Sequence, residues 1–146
     1  MSASMKRLYI MAASGERHRA AAFADRCRAV GWEITEPWWE HLATVEKEGR
    51  LGDDLPLAER QRVSEADLEG VYQANLTMLL RPSPGISTEG AWVELGYALG
   101  LRRARCGMKP LIWSVSDFPE ARRFFTLQVD RHLDSEDAAI EALTLL

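Results

Sequence analysis

A chain of 146 residues fits one domain, 1–146, large enough to bury most of the surface its unfolded form exposes. With 47% hydrophobic and 27% charged residues it has an ordinary globular balance, and a net charge of −4 argues against a nucleic-acid polymer as partner. Cys27 and Cys106 stand outside any CxxC spacing and His18, His41 and His132 are scattered, so neither a disulfide framework nor a metal set is offered. A reducing, cytoplasmic setting is the expectation, with no cofactor and no metal. The opening "MSASMKRLYIMAAS" carries an apolar stretch too short for a signal peptide, and no run approaches a membrane span.

In chain order, "KRLYIM" (6–11) reads as a first strand, followed by the small-residue turn "AASG". "ERHRAAAFADRCRAVG" reads as a helix with Ala21, Phe23, Ala24, Cys27 and Val30 inward and Gly31 as its stop. "WEITEP" is a second short strand closed by Pro37. "WWEHLATVEKEGRLGDDLP" shows no sustained period and carries Gly and Pro, so a long loop with one helical turn is expected there.

"LAERQRVSEADLEGVYQA" (57–74) is helical, "NLTMLL" (75–80) a buried-type strand and "RPSPGIS" (81–87) a loop. "TEGAWVELGYALGLRRAR" forms the next helix, ended by Gly107, and "KPLIWSV" (109–115) the next strand. A short helix near 118–125, a strand "TLQVD" (126–130) and a helix from Ser135 complete the chain. Strands alternating with helices give one α/β domain with a parallel sheet of about five strands, covered on both faces. In such folds ligands bind beyond the C-terminal ends of the strands, so "AASGER", "PWWEH", "RPSPGIST" and "SVSDF" are the candidate segments.

Between Ala91 and Leu101 every residue is apolar or glycine except Glu94. Its helical neighbours, Gly90, Ala91, Tyr97 and Ala98, carry no charge. An ionised carboxylate in a dry apolar pocket needs a partner or a shifted pKa, so Glu94 is expected to face a cleft. The plainer alternative is that it points to water. Asp67 repeats the pattern, falling inside the inward stripe Val63, Ala66, Gly70, Val71 and Ala74, although it could equally sit at that stripe's edge as a surface residue. Paired carboxylates in a cleft suit glycosidic chemistry, one steadying or attacking the sugar's C1′ while an acid handles the leaving group.

Other residues fit a ligand made of sugar and base. Trp38 and Trp39 follow strand two, where an aromatic face could stack on a base or simply fill the core. Ser14, Gly15, Ser87 and Thr88 place hydroxyls and backbone N–H groups near helix starts, where phosphate or ribose oxygens bind, although Ser and Thr are also ordinary caps. Arg102, Arg103 and Arg105 suit the helix's C-terminal dipole.

"LYIMAAS", "EADLEGVYQANLTMLL" and "STEGAWVELGYALG" followed by "KPLIW" resemble the nucleoside 2-deoxyribosyltransferase superfamily, which includes the nucleoside 5′-monophosphate N-glycosidases; the resemblance extends through Trp113. It implies a flavodoxin-like sheet of order 2-1-3-4-5 and a homodimer or higher homo-oligomer with sites near the subunit interface. It puts the catalytic glutamate on Glu94, the tyrosine that orients it on Tyr9 and the preceding helix's aspartate on Asp67. Glu94 would attack C1′, giving a glycosyl ester resolved by an acceptor base (transferase) or by water (hydrolase). Transferases of the superfamily carry an acidic residue where this chain has Thr88, and the monophosphate glycosidases a serine. The resemblance therefore leans toward a 5′-monophosphate, with Ser14, Gly15, Arg17, Ser87, Thr88 and Gly90 as further substrate-binding residues. Competing expectations are a nucleotide-sensing module without turnover, a cytokinin-type nucleotide phosphoribohydrolase (whose double-glycine approach "PSPGISTEG" lacks), and an interaction module displaying "WWEH".

Overall fold

A computed structural model describes residues 5–47, 55–116 and 128–146. The elements run β1 (Arg7–Met11), a 3-10 turn (Ser14–Glu16), α1 (Arg17–Ala29), β2 (Glu33–Ile34), α2 (Trp38–Lys47), α3 (Leu57–Gln73) and β3 (Leu76–Leu80). They continue with α4 (Gly90–Ala104), β4 (Leu111–Val115), β5 (Arg131–Leu133) and α5 (Glu136–Thr144). Every pairing is parallel and the sheet order is β2-β1-β3-β4-β5, the flavodoxin-like arrangement.

The strands are continuous apolar runs because both sheet faces are covered. All five residues of β3 are buried, as are Leu8 to Met11 of β1 and Ile112 to Val115 of β4. Helix α1 packs on α5 and α2, while α3 packs along α4. Right-handed crossovers require this division, because the chain leaves β1 in one direction along the sheet and returns past it in the other. The reversal lies between β1 and β3, in register at Tyr9 and Thr77. In folds of this class the loops after two such strands diverge toward opposite faces, and ligands bind in the crevice between them.

Helix ends follow local chemistry. Gly31 adopts φ 92°, Gly31 N–H donates to the Arg28 carbonyl and Trp32 N–H to that of Cys27, a Schellman closure that ends α1 where a side chain would be strained. Trp32 folds back into the core. Ser135 caps α5 by accepting from the Ala138 N–H.

Two expectations are corrected. The segment after Pro37 begins as a ten-residue helix, not a loop. Trp38, Trp39, Leu42 and Val45 turn inward at helical spacing, a stripe that the Gly- and Pro-containing residues after it dilute when the whole segment is read together. The last strand is Arg131–Leu133; residues 128–130 of the stretch expected as a strand precede it, and 126 and 127 lie outside the described residues. Asp130 meets β4 before the strand begins: its N–H donates to the Ile112 carbonyl, and its carboxylate accepts from Ile112 N–H and from Arg102. The helix expected near 118–125 lies outside the described residues.

Candidate active site

Tyr9 is the second of four buried residues along β1 and points to the face covered by α3 and α4. Its ring can lie there because α3 presents Gly70. A Cβ on Gly70 would stand 2.8 and 2.9 Å from Tyr9 ring carbons and 2.6 Å from the Glu36 Cβ, so only glycine lets the three chains approach this closely. Thr35 strengthens the junction by donating its hydroxyl to the Gly70 carbonyl at 2.7 Å.

At the far end of the ring, the Tyr9 hydroxyl donates to Glu94 Oε1 at 2.8 Å. Glu94 is half-buried, one turn into α4, with Ala91, Leu95 and Ala98 packed beneath the same helix. Burial, with the nearby Asp67 charge adding to it, pushes the Glu94 carboxyl from 4.5 up to about 8, against the lowering effect of the Tyr9 hydrogen bond. Burial also raises Tyr9 well above 10, helped by the charges of Glu94 and Asp67, so the phenol stays a donor.

Asp67 lies one turn before Gly70 on α3. Burial and the neighbouring Glu36 raise its carboxyl from 3.8 to about 6, with His41 pulling the other way. Its Oδ1 is buried and has no hydrogen-bond partner among the described residues. An acceptor left in this state costs free energy unless it is protonated or a ligand supplies a donor. Glu36 and His41 form their own pair, Nε2 to Oε1 at 3.0 Å. Neither was singled out from sequence. They come from different elements and match no spacing rule; the one signal was a carboxylate at the C-terminal end of a strand, before Pro37.

The remaining expected residues fall on the flanking loops. Ser14 and Gly15 are exposed in the 3-10 turn after β1 and Arg17 begins α1, half-buried. Between them, the Glu16 carboxylate accepts from Ser83 N–H at 2.9 Å and Ser83 hydroxyl at 2.7 Å, and pairs with Arg19. Burial alone would raise its pKa, but these contacts hold it below the ordinary value and tie the β1 and β3 loops together. Ser87 and Gly90 are exposed, and Thr88 caps α4, its hydroxyl accepting from the Ala91 N–H at 3.3 Å.

Trp38 and Trp39 pack into the core. They are 7% and 6% exposed, set edge to face at 5.6 Å, and Trp38 Nε1 donates to the Ile10 carbonyl at 2.8 Å. They wedge α2 against the sheet, and neither presents an open ring face to a base.

A cleft of about 340 Å³ opens at the ends of β4 and β5, lined by Arg19, Ser83, Ser116, Asp134, Ser135 and Glu136. It does not include Tyr9, Asp67 or Glu94. The candidate site is instead the carboxylate cluster, two acids with raised pKa values and a phenol that donates to one of them at the switch point. Among the described residues no His, Cys, Asp or Glu set is grouped to hold a metal ion, and no helix is long and apolar enough to cross a membrane.

No protein-family model matches the chain, and no curated protein matches it. Among solved structures, it is similar to the CMP N-glycosidase BcmB of Clostridium botulinum, with a TM-score of 0.53 and 14% identity over 96% of this chain and 98% of that one. At that identity the likeness is one of fold, an α/β architecture that the two share.

Proposed function

We propose that the protein acts on the N-glycosidic bond of a nucleoside or its 5′-monophosphate, cleaving it or transferring the sugar. The observation that carries this reading is the Tyr9–Glu94 hydrogen bond, set beside Asp67 at the switch point of the sheet. That the CMP N-glycosidase has the same fold supports it.

Tyr9 engages one oxygen of Glu94, leaving the other to approach C1′ along a fixed direction. As the C1′–N bond breaks, its electron pair passes to the base, which takes a proton from the Asp67 carboxyl. The sugar's positive charge is met by the Glu94 carboxylate, as an ion pair or as a glycosyl ester. Water or an acceptor base then attacks C1′; its proton returns to Asp67, and Glu94 is released.

Between pH 6 and 8 the pair holds one proton, resting mainly on Glu94 in the empty site. A cation developing at C1′ favours the ionised form of the nearer acid, so substrate draws the proton to Asp67, beside the leaving base. The orphaned Asp67 oxygen suits this, because a protonated carboxyl or a substrate donor removes its burial penalty.

A sensing module is the second reading, favoured by one observation: Glu94 carries its proton at neutral pH and could simply donate a hydrogen bond to a sugar hydroxyl. Turnover separates the two. The test is base release from nucleosides and their 5′-monophosphates, with and without an acceptor base, compared with Glu94→Ala. A sensor leaves every substrate intact.

A further inference from the structure

Four titratable groups from four parts of the chain interact with Asp67: Tyr9 on β1, Glu36 just beyond β2, His41 on α2 and Glu94 on α4. Two of them bring a donor to the site, the Tyr9 hydroxyl and the His41 ring. Neither is given to Asp67. The hydroxyl goes to Glu94 Oε1 at 2.8 Å, and His41 Nε2 goes to Glu36 Oε1 at 3.0 Å. The buried Asp67 Oδ1 is left without a hydrogen-bond partner among the described residues. An acid built to stay ionised would receive such donors. Asp67 instead faces a second carboxylate whose own hydrogen bond is supplied.

Glu36 is fixed from both sides. The Thr35 N–H donates to the Leu8 carbonyl at 3.0 Å and the Thr35 hydroxyl to the Gly70 carbonyl at 2.7 Å. On the other side, Trp38 Nε1 donates to the Ile10 carbonyl at 2.8 Å. The Glu36 Cβ stands where a Cβ on Gly70 would be only 2.6 Å away, and Gly70 lies one turn beyond Asp67 on α3. The Glu36 backbone is thus set against the part of α3 that carries Asp67, and His41 holds the end of its side chain.

We infer that Glu36, held by His41, is a positioning residue of the site: its negative charge keeps the proton on Asp67, where a leaving base can collect it. The inference rests on the proposed glycosidic reading for the fate of that proton, but not for its location. Burial and the Glu36 charge raise the Asp67 carboxyl to about 6, and His41 acts the other way. Neutralising Glu36 should therefore lower the Asp67 titration, and neutralising His41 should not. A loss of packing has no reason to distinguish the two. In the Asp67–Glu94 pair the productive arrangement has its proton on Asp67, so each pH unit lost from Asp67 reduces that fraction about tenfold.

The test is carbon-13 NMR of the labelled full chain from pH 4 to 9, in wild type, Glu36→Gln and His41→Gln. It follows the Asp67 side-chain carboxyl, assigned by its loss in Asp67→Asn. Glutamine at 36 can still accept from His41 and glutamine at 41 can still donate to Glu36, so each variant removes a charge and keeps the contact. The wild-type midpoint is expected at about 6. Glu36→Gln should lower it by about half a unit to one unit, and His41→Gln should leave it in place or raise it. In base release, Glu36→Gln should lose about threefold to tenfold in kcat with little change in KM, and its acid limb should move to lower pH. A Glu36→Gln midpoint that stays in place, or two variants that lower it alike, overturns the inference. A midpoint that falls as expected in a protein that releases no base overturns the glycosidic reading and leaves the hold of Glu36 on the Asp67 proton standing.

Discussion

Replacing Glu94 by glutamine should stabilise the protein, and increasingly so as the pH rises. Its carboxyl is raised from 4.5 to about 8, so the folded state holds the proton more tightly than the unfolded chain. The sign follows. Below about pH 4.5 both states are protonated and the group exerts no penalty. As the pH rises toward 8 the unfolded chain ionises freely while the folded one resists, and stability is lost across that window. At about 1.4 kcal/mol per pH unit the full penalty is roughly 5 kcal/mol. Partial access to water reduces this, and roughly 2 to 4 kcal/mol is the expected gain for Glu94→Gln at pH 9, against less than about 1 kcal/mol at pH 5. Glutamine keeps an oxygen to accept from Tyr9, and Asp67 is present in both proteins, so its own pH dependence largely cancels. Thermal melts from pH 5 to 9 should show a variant-minus-wild-type Tm difference widening to roughly 5–10 °C. Parallel curves would mean that Glu94 ionises as an ordinary solvated carboxylate, and the reasoning about a buried acid would fall.

Tyr9→Phe removes the Glu94 hydrogen bond but keeps the ring, and should lower kcat of base release by about tenfold to a hundredfold with a much smaller change in KM. Equal losses in both constants would give Tyr9 a packing role. Gly70→Ala places a methyl within 2.9 Å of the Tyr9 ring and should cost about 1–3 kcal/mol in chemical denaturation, despite alanine's better helix propensity. Unchanged stability would contradict the close approach of α3 to β1. The pH profile of kcat/KM should be bell-shaped, with limbs near 6 and 8 and a maximum around pH 7, because one proton on the Asp67–Glu94 pair is required. A rate still rising above pH 9 would exclude an acid of this pKa from the reaction, and Asp67→Asn should abolish the alkaline limb.

The buried strands were legible because β1, β3 and β4 are apolar runs that only a doubly covered sheet accommodates. Glu94 was legible for the same reason, as a single carboxylate inside an apolar helix. Elements whose determinants are not local were harder to read. Strand β5 buries one residue, Leu133, and owes its position to pairing with β4 and to Asp130 bridging onto Ile112, so its sequence is less strand-like than the residues before it. Helix α2 has its apolar stripe at the start of a segment whose continuation contains Gly and Pro. Glu36 and His41 reach Asp67 through the packing of three elements, a relation no window along the chain contains. Trp38 and Trp39 stand beside the expected ligand segments in sequence, and in the fold they hold α2 to the sheet, a placement that their position along the chain does not reveal.

The central claim is that Glu94 performs chemistry at C1′. Its most direct test is chromatographic base release from a panel of ribo- and deoxynucleosides and their 5′-monophosphates, run with wild type and Glu94→Gln, with and without an acceptor base. The account predicts free base, or exchanged base when an acceptor is present, from at least one member of the panel, and its loss in the folded, more stable variant. Release that continues undiminished in Glu94→Gln, or wild-type protein that binds these molecules and returns them intact, would contradict it.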